Sequence, residues 1–150
     1  MLVEHARNLG GIRDASHAEY GASGTPVITP LACSLNGQEI TVELMLDSLL
    51  ARLHGAAQST EFTTCNYGLA LDAQHLAGEH GMSVSAIDDT GEVRAIERTD
   101  HPFFMGTLYQ PQLRSKPGQP HPVFVGLLKA ALANSTLRGG DIPILDDRVT

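Results

Sequence analysis

Apolar residues recur at helical spacing at Leu2, Val3, Ala6 and Leu9, and Gly10-Gly11 follows where a left-handed residue would end a helix. A short amphipathic helix is therefore predicted to open the chain. Nothing before Met1 can serve as its N-cap, so the chain is expected to begin inside this helix rather than at its start. Beyond a loop rich in Gly, Ser and Pro (Gly21 to Pro26), the segment VITPLACSLNGQEITVEL predicts two strands joined as a hairpin at Asn36-Gly37. Asp47 is placed to cap a short helix, SLLARLH, which Gly55 closes, and STEFTTC alternates as a strand does. Asp72 is placed to cap another helix through His80, closed by Gly81. MSVSAID and EVRAIER flank the turn Asp88-Asp89-Thr90-Gly91 as a second hairpin, and FFMGTLY is a mostly apolar run suited to a buried strand.

A last helix is predicted from Pro122, with Val123, Phe124, Leu127, Leu128, Ala131 and Leu132 on a face wide enough to meet a core. Ser135 to Thr150 loses all periodicity and is expected to be a mobile tail, leaving residues 1–134 as one domain. Strands and helices mixed in this order predict an α/β sheet with a hairpin-rich insertion, not a bundle or a sandwich.

Composition narrows the class. The 150 residues support one core, and 42% hydrophobic with 18% charged residues excludes a disordered, collagenous or coiled-coil chain. A formal charge of -7 has the wrong sign for holding nucleic acid or an anionic membrane by counterion release, so neither is expected as a partner. The most apolar run, Val123 to Leu128, is far too short to span a bilayer, and the first residues carry no export pattern. Cys33 and Cys65 lack C-x-x-C spacing, so they predict reduced thiols and a cytoplasmic location rather than a disulfide framework or a zinc knuckle.

The candidate chemistry is sparse. His75 and His80 lie five residues apart, which points them to different sides of a helix, whereas a two-His ligand pair wants four. No metal and no cofactor are expected. Asp88-Asp89 is expected to be a solvated turn rather than an acid/base pair, and Asp146-Asp147 falls in the tail. Cys65 is the more interesting thiol, because Asn66, Tyr67 and Gly68 follow it at a strand end. It reads either as a small buried apolar residue or as a reactive thiol, with no His beside it in sequence. Cys33, within a predicted hairpin strand, is expected in the core. Lys116 to Pro122 (KPGQPHP) reads first as a loop and helix start. Local chemistry thus assembles no complete catalytic constellation.

Two distant blocks, HPFFMGTLYQPQLRSKPGQPHPVFVGLLKAAL (residues 101–132) and VEHARNLGGIRDASHAEY (Val3 to Tyr20), resemble the class I glutamine amidotransferase domain of CTP synthase. The first is similar to the end of that domain, and the second to the helix and loop just after its nucleophile. PLACSL (Pro30 to Leu35) and Cys65 to Gly68 also resemble small stand-alone proteins related to the CTP synthase C-terminal region. The resemblance covers residues 1–134 and implies a partial flavodoxin-like fold, three-layered and mostly parallel, lacking its N-terminal strands and nucleophile elbow.

That family works through a Cys-His-Glu triad, in which a Cys attacks the glutamine amide, a His acts as base and a Glu orients the His. Carried onto this chain, the His position is Gln110 and the Glu position is Gln112, and the elbow Cys would lie upstream of Met1. The resemblance also implies a ligand-binding role for Asn66, Tyr67 and Gln110, where Asn66 replaces an Arg that would meet the substrate carboxylate. Glutamine or a related small molecule is the expected ligand.

Three readings follow. The chain is part of a stand-alone CTP-synthase-like cysteine hydrolase, or a non-catalytic binding module, or one half of a split enzyme. Loss of the central parallel strands would leave an apolar sheet edge, so a homodimer, a partner chain or aggregation is expected there.

Overall fold

In the computed structural model, which describes residues 1–21 and 23–137, α1 (Leu2–Asn8) leads into β1 (Ala15–His17), a 3-10 turn (Ala18–Tyr20) and β2 (Thr25–Pro30). There follow β3 (Gln38–Leu44), α2 (Leu49–His54), β4 (Gln58–Thr63), β5 (Tyr67–Leu69), a 3-10 helix (Leu71–Gly78), β6 (Met82–Asp88) and β7 (Val93–Arg98). The described chain ends with β8 (Met105–Thr107), α3 (Pro111–Arg114) and α4 (Pro122–Leu137). Two sheets result, one in the order β1-β2-β5 and one in the order β4-β3-β6-β7-β8.

The α/β class holds, and the larger sheet is covered on both faces. One apolar cluster joins Ala6, Val27, Leu76, Val93 and Ile96 under α1 and the small sheet. The other joins Val42, Leu50, Ala86, Ala95 and Val123 under α2 and α4. β7 contributes to both, as a strand buried on two faces must. The mostly parallel pairing expected of the sheet is confined here to β1–β2; the other described pairs are antiparallel. The links between β6, β7 and β8 are a few residues long, too short for the crossover that a parallel pair needs.

The second predicted hairpin forms around Gly91, whose φ of 81° suits the turn. The Asn36-Gly37 hairpin does not form, because β2 and β3 enter different sheets. Leu35–Gln38 instead closes on itself, Gln38 N–H donating to the Leu35 carbonyl at 3.2 Å, while Gly37 N–H donates to the Thr63 carbonyl at 2.9 Å. Asn-Gly therefore still makes a turn, but one that aims β3 at β4. Cys33 lies in the loop before it and is exposed, not in the core. Of FFMGTLY only Met105–Thr107 is strand, half-buried at the sheet edge.

Helix ends also depart from expectation where a tertiary partner intervenes. Ser48, not Asp47, caps α2, its Oγ accepting from Ala51 N–H at 2.9 Å. The buried Glu97 on β7 adds a second cap, its carboxylate accepting from Leu49 N–H at 2.7 Å and Leu50 N–H at 3.2 Å. The segment after Ala70 is a 3-10 helix that Asp72 does not cap. α4 continues through Leu137, into the segment expected to be a tail; residues 138–150 lie outside the described residues.

The apolar face expected of α4 is only partly used. Val123 is buried, whereas Leu127, Leu128 and Leu132 are 45%, 64% and 54% exposed. The helix meets α2 through Gly126, where a Cβ would stand 2.6 Å from Leu53 Cδ2, and its later turns run beyond that contact.

The Asp88-Asp89 turn is half as solvated as expected, since Asp89 is exposed and Asp88 is buried. Asp88 Oδ1 accepts from Thr90 N–H (2.9 Å), Thr90 Oγ–H (2.6 Å) and Glu92 N–H (3.0 Å), and Oδ2 pairs with the buried Arg94 at 2.6 Å. Burial by itself would raise the Asp88 carboxyl, but the bonds from Thr90 and Arg94 outweigh it and hold it below its ordinary value of 3.8. A group lowered on folding adds stability above its unfolded value and loses it as pH falls through the folded one. Asp88→Asn is accordingly expected to cost about 3 kcal/mol at neutral pH, by leaving Arg94 buried with Glu92 alone. Urea unfolding should show that deficit shrinking in acid; an equal deficit at pH 7 and in strong acid would contradict the pairing.

Candidate functional site

Two clusters of chemically capable side chains lie on either side of β7 and β4. The first surrounds a cavity of about 240 Å³ between the two sheets, walled by α1, β2, β5, β7 and β8. This is smaller than the roughly 300–1,000 Å³ of drug-sized clefts and suits a molecule of amino-acid size. Its polar lining comprises His17, Cys65, Tyr67, Arg94 and Thr107. β1 delivers His17, whose ring packs 4.9 Å from that of Tyr67, the first residue of β5. His17 Nδ1 accepts from Glu19 N–H at 3.1 Å. The charge of Arg94 is directed away to Asp88 and Glu92.

Cys65 sits at this wall, half-buried, and donates its Sγ–H to the Tyr67 carbonyl at 3.2 Å. Its own N–H donates to Thr63 Oγ1 at 3.1 Å. Asn66, beside it, turns the other way: its Oδ1 accepts from Ser34 Oγ at 2.6 Å, so its side chain braces the Leu31–Gly37 loop. Gln110 lies close by, Oε1 accepting from Thr64 N–H at 2.8 Å and its own N–H donating to the Phe62 carbonyl at 2.9 Å. Gln112 is exposed on α3. The structure thus brings Cys65 and Tyr67 to the cavity and holds Gln110 to the strand end that carries them. His17 escaped the sequence reading because its tie to Tyr67 spans fifty residues and no local pattern encodes it.

The second cluster lies beneath α2 and α4. Glu61, on β4 and 1% exposed, faces His121 at the start of α4, with His121 Nε2 at 3.0 Å and 3.2 Å from its two oxygens. Ser59 Oγ–H donates to the same carboxylate at 2.6 Å. Val123 N–H donates to His121 Nδ1 at 3.2 Å, which leaves the ring proton on Nε2 to donate to Glu61. Burial would raise Glu61, but the bonds from His121 and Ser59 hold it below the usual carboxylate range. His54, at the end of α2, packs its ring 5.1 Å from that of His121. Burial pushes His54 below its ordinary value despite the pull of Glu61, keeping it neutral. Tyr109 is also buried, and burial together with the Glu61 charge raises its phenol. Two atoms remain without partners, His54 Nε2 and the Tyr109 hydroxyl. None of these four residues was singled out in sequence, where they lie scattered over β4, α2, β8–α3 and α4.

Among the described residues no helix is long and apolar enough to cross a membrane. No protein-family model matches the chain. Its sequence is similar to CTP synthases: that of Brucella ovis is 30% identical over 154 residues, and those of Caulobacter vibrioides and Methylocella silvestris are 28% identical over 155. These matches cover 90–91% of this chain, which spans 28–29% of the relatives' length. The fold matches the Trypanosoma brucei CTPS glutaminase domain with bound acivicin at a TM-score of 0.80 and 23% identity, over 88% of this chain and 56% of that one. It also matches a protein described as a GMP synthase subunit from Thermoplasma acidophilum, at 0.58 and 11% identity, over 75% of this chain and 52% of that one. The described residues thus share the fold of part of that CTPS glutaminase domain.

The unpartnered Tyr109 hydroxyl makes a stability prediction. A buried donor without an acceptor costs about 1–3 kcal/mol. Tyr109→Phe in protein stripped of metal with a chelator should therefore raise stability by about 1 kcal/mol, read as a higher denaturation midpoint at unchanged slope. A loss of stability would show that the hydroxyl has a partner.

Proposed function

We propose that the cavity behind Tyr67 is a small-molecule site of glutamine amidotransferase type, taking glutamine or a related amino-acid amide, and that the chain by itself does not hydrolyse glutamine. CTP synthesis is named for relatives of which this chain spans 28–29% of the length, and ligand binding is the part of that relationship ascribed to it here.

The arrangement of Gln110 carries this reading. By resemblance it stands where the family's base would stand, and its amide is fixed in place by Thr64 N–H. An amide neither takes up a proton near neutral pH nor carries charge to steady an imidazolium. Gln112, at the position of the orienting Glu, is exposed and equally neutral. The one thiol at the cavity, Cys65, is tied to the Tyr67 carbonyl at 3.2 Å. Loss of a general base alone costs about 10² to 10⁴ in rate. The remaining features suit binding: an aromatic wall from Tyr67 and His17, apolar sides, and hydrogen-bonding groups from Thr107 and Cys65.

Calorimetric titration of the full chain with L-glutamine should show binding that Tyr67→Ala weakens at least about tenfold, equivalent to 1.4 kcal/mol. Absence of binding by glutamine and by its close amides would overturn the ligand class. Glutamate release in the same preparation should stay at the buffer rate. Turnover above buffer that Cys65→Ser abolishes would overturn the non-catalytic part and place the nucleophile at Cys65.

A further inference from the structure

We propose that His54, Glu61 and His121 form a binding site for a first-row divalent metal ion, zinc by its donor set, at the junction of α2, β4 and α4. The site is separate from the cavity behind Tyr67 and does not depend on the amidotransferase reading.

Three observations converge on it. One ligand atom from each residue lies within 4.8 Å of those from the other two, with Glu61 and His121 fully buried. Two imidazoles and one carboxylate make the His2Glu set, which holds zinc with a fourth position free. Separately, two buried polar atoms around the same carboxylate, His54 Nε2 and the Tyr109 hydroxyl, have no partner. A buried Glu61–His121 pair explains neither of them. An ion between the three donors occupies the His54 lone pair, and a water in its fourth position gives the Tyr109 hydroxyl an acceptor.

The geometry needs only local adjustment. Donors about 2.0–2.1 Å from a tetrahedral ion lie roughly 3.3 Å from one another. Glu61 and His121 already stand at 3.0 Å, so the movement falls on His54, a half-buried side chain on the last residue of α2. The proton balance is simple. In the metal-free His121 ring Nδ1 accepts from Val123 N–H and Nε2 carries the proton. The ion takes the Nε2 lone pair and the proton passes to Nδ1, so the Nε2–H bond to Glu61 and the Val123 capping contact are both exchanged for coordination of His121 and Glu61 to the ion, and no net proton is released. The ion then ties three elements together and offsets the one carboxylate buried beneath them.

The test is a titration of the full chain, stripped with a chelator, with Zn²⁺ for thermal stability and with Co²⁺ for its visible spectrum. Zinc at a hundredfold excess over Kd should raise Tm by about 5–10 °C. Cobalt should show the intense visible absorption of a four-coordinate site. His54→Ala leaves the Glu61–His121 pair in place, so it should fold. It should also weaken zinc by more than the roughly 10–100-fold that loss of a merely supporting residue costs. His75→Ala should bind as the parent chain does. Absence of both the cobalt band and the zinc shift would overturn the proposal and leave the cluster as a hydrogen-bonded pair with a buried water. Binding that survives His54→Ala undiminished would overturn it too, by placing the metal elsewhere.

Discussion

β7 carries two ionised side chains into an interior that both faces of the sheet exclude from water, and the surrounding architecture depends on where they are satisfied. Arg94 and Glu97 are both buried. A buried charge is tolerated only when paired or fully hydrogen-bonded. Arg94 finds Asp88 and Glu92, so its cost is met by ordering the β6–β7 turn beside it. Glu97 finds the first two free N–H groups of α2, so its cost is met by fixing the start of a helix forty-eight residues earlier in the chain. Through these bonds one strand sets a wall of the cavity and the direction of the helix that ends in His54.

The same strand separates two kinds of polar chemistry. On the cavity side a thiol donates to a carbonyl, a guanidinium is engaged by two carboxylates, and His17 packs its ring against Tyr67. Under α2 and α4 the groups are a carboxylate, two imidazoles and a phenol, with two of their polar atoms unpaired. The proposed cation site thus lies apart from the cavity behind Tyr67. Gly126 matters to this second cluster as much as any polar residue, because only a missing Cβ lets α4 approach Leu53 and bring His121 toward His54.

Elements encoded by local pattern are legible in the sequence. The Asp88–Gly91 hairpin, the SLLARLH helix with its Gly55 stop and the strand in STEFTTC each rest on turn chemistry or periodicity within a few residues. The family resemblance is legible too, because it rests on long ordered blocks at both ends of the described chain. The misreadings share one cause. Asn36-Gly37 makes a turn, but Thr63 decides which strand follows it; Ser48 and Glu97 displace Asp47 as caps; the leucines of α4 stay exposed because Gly126 fixes where that helix touches α2.

The sequence by itself determined the α/β class and most of the elements, since each depends on residue type and local spacing. Only the tertiary structure decided that Cys65, Tyr67 and His17 share one wall and that Asn66 faces away from it. It alone brought His54, Glu61 and His121 together. These three lie seven and sixty residues apart on elements of different period, and no window of sequence contains the contact that three-dimensional packing makes.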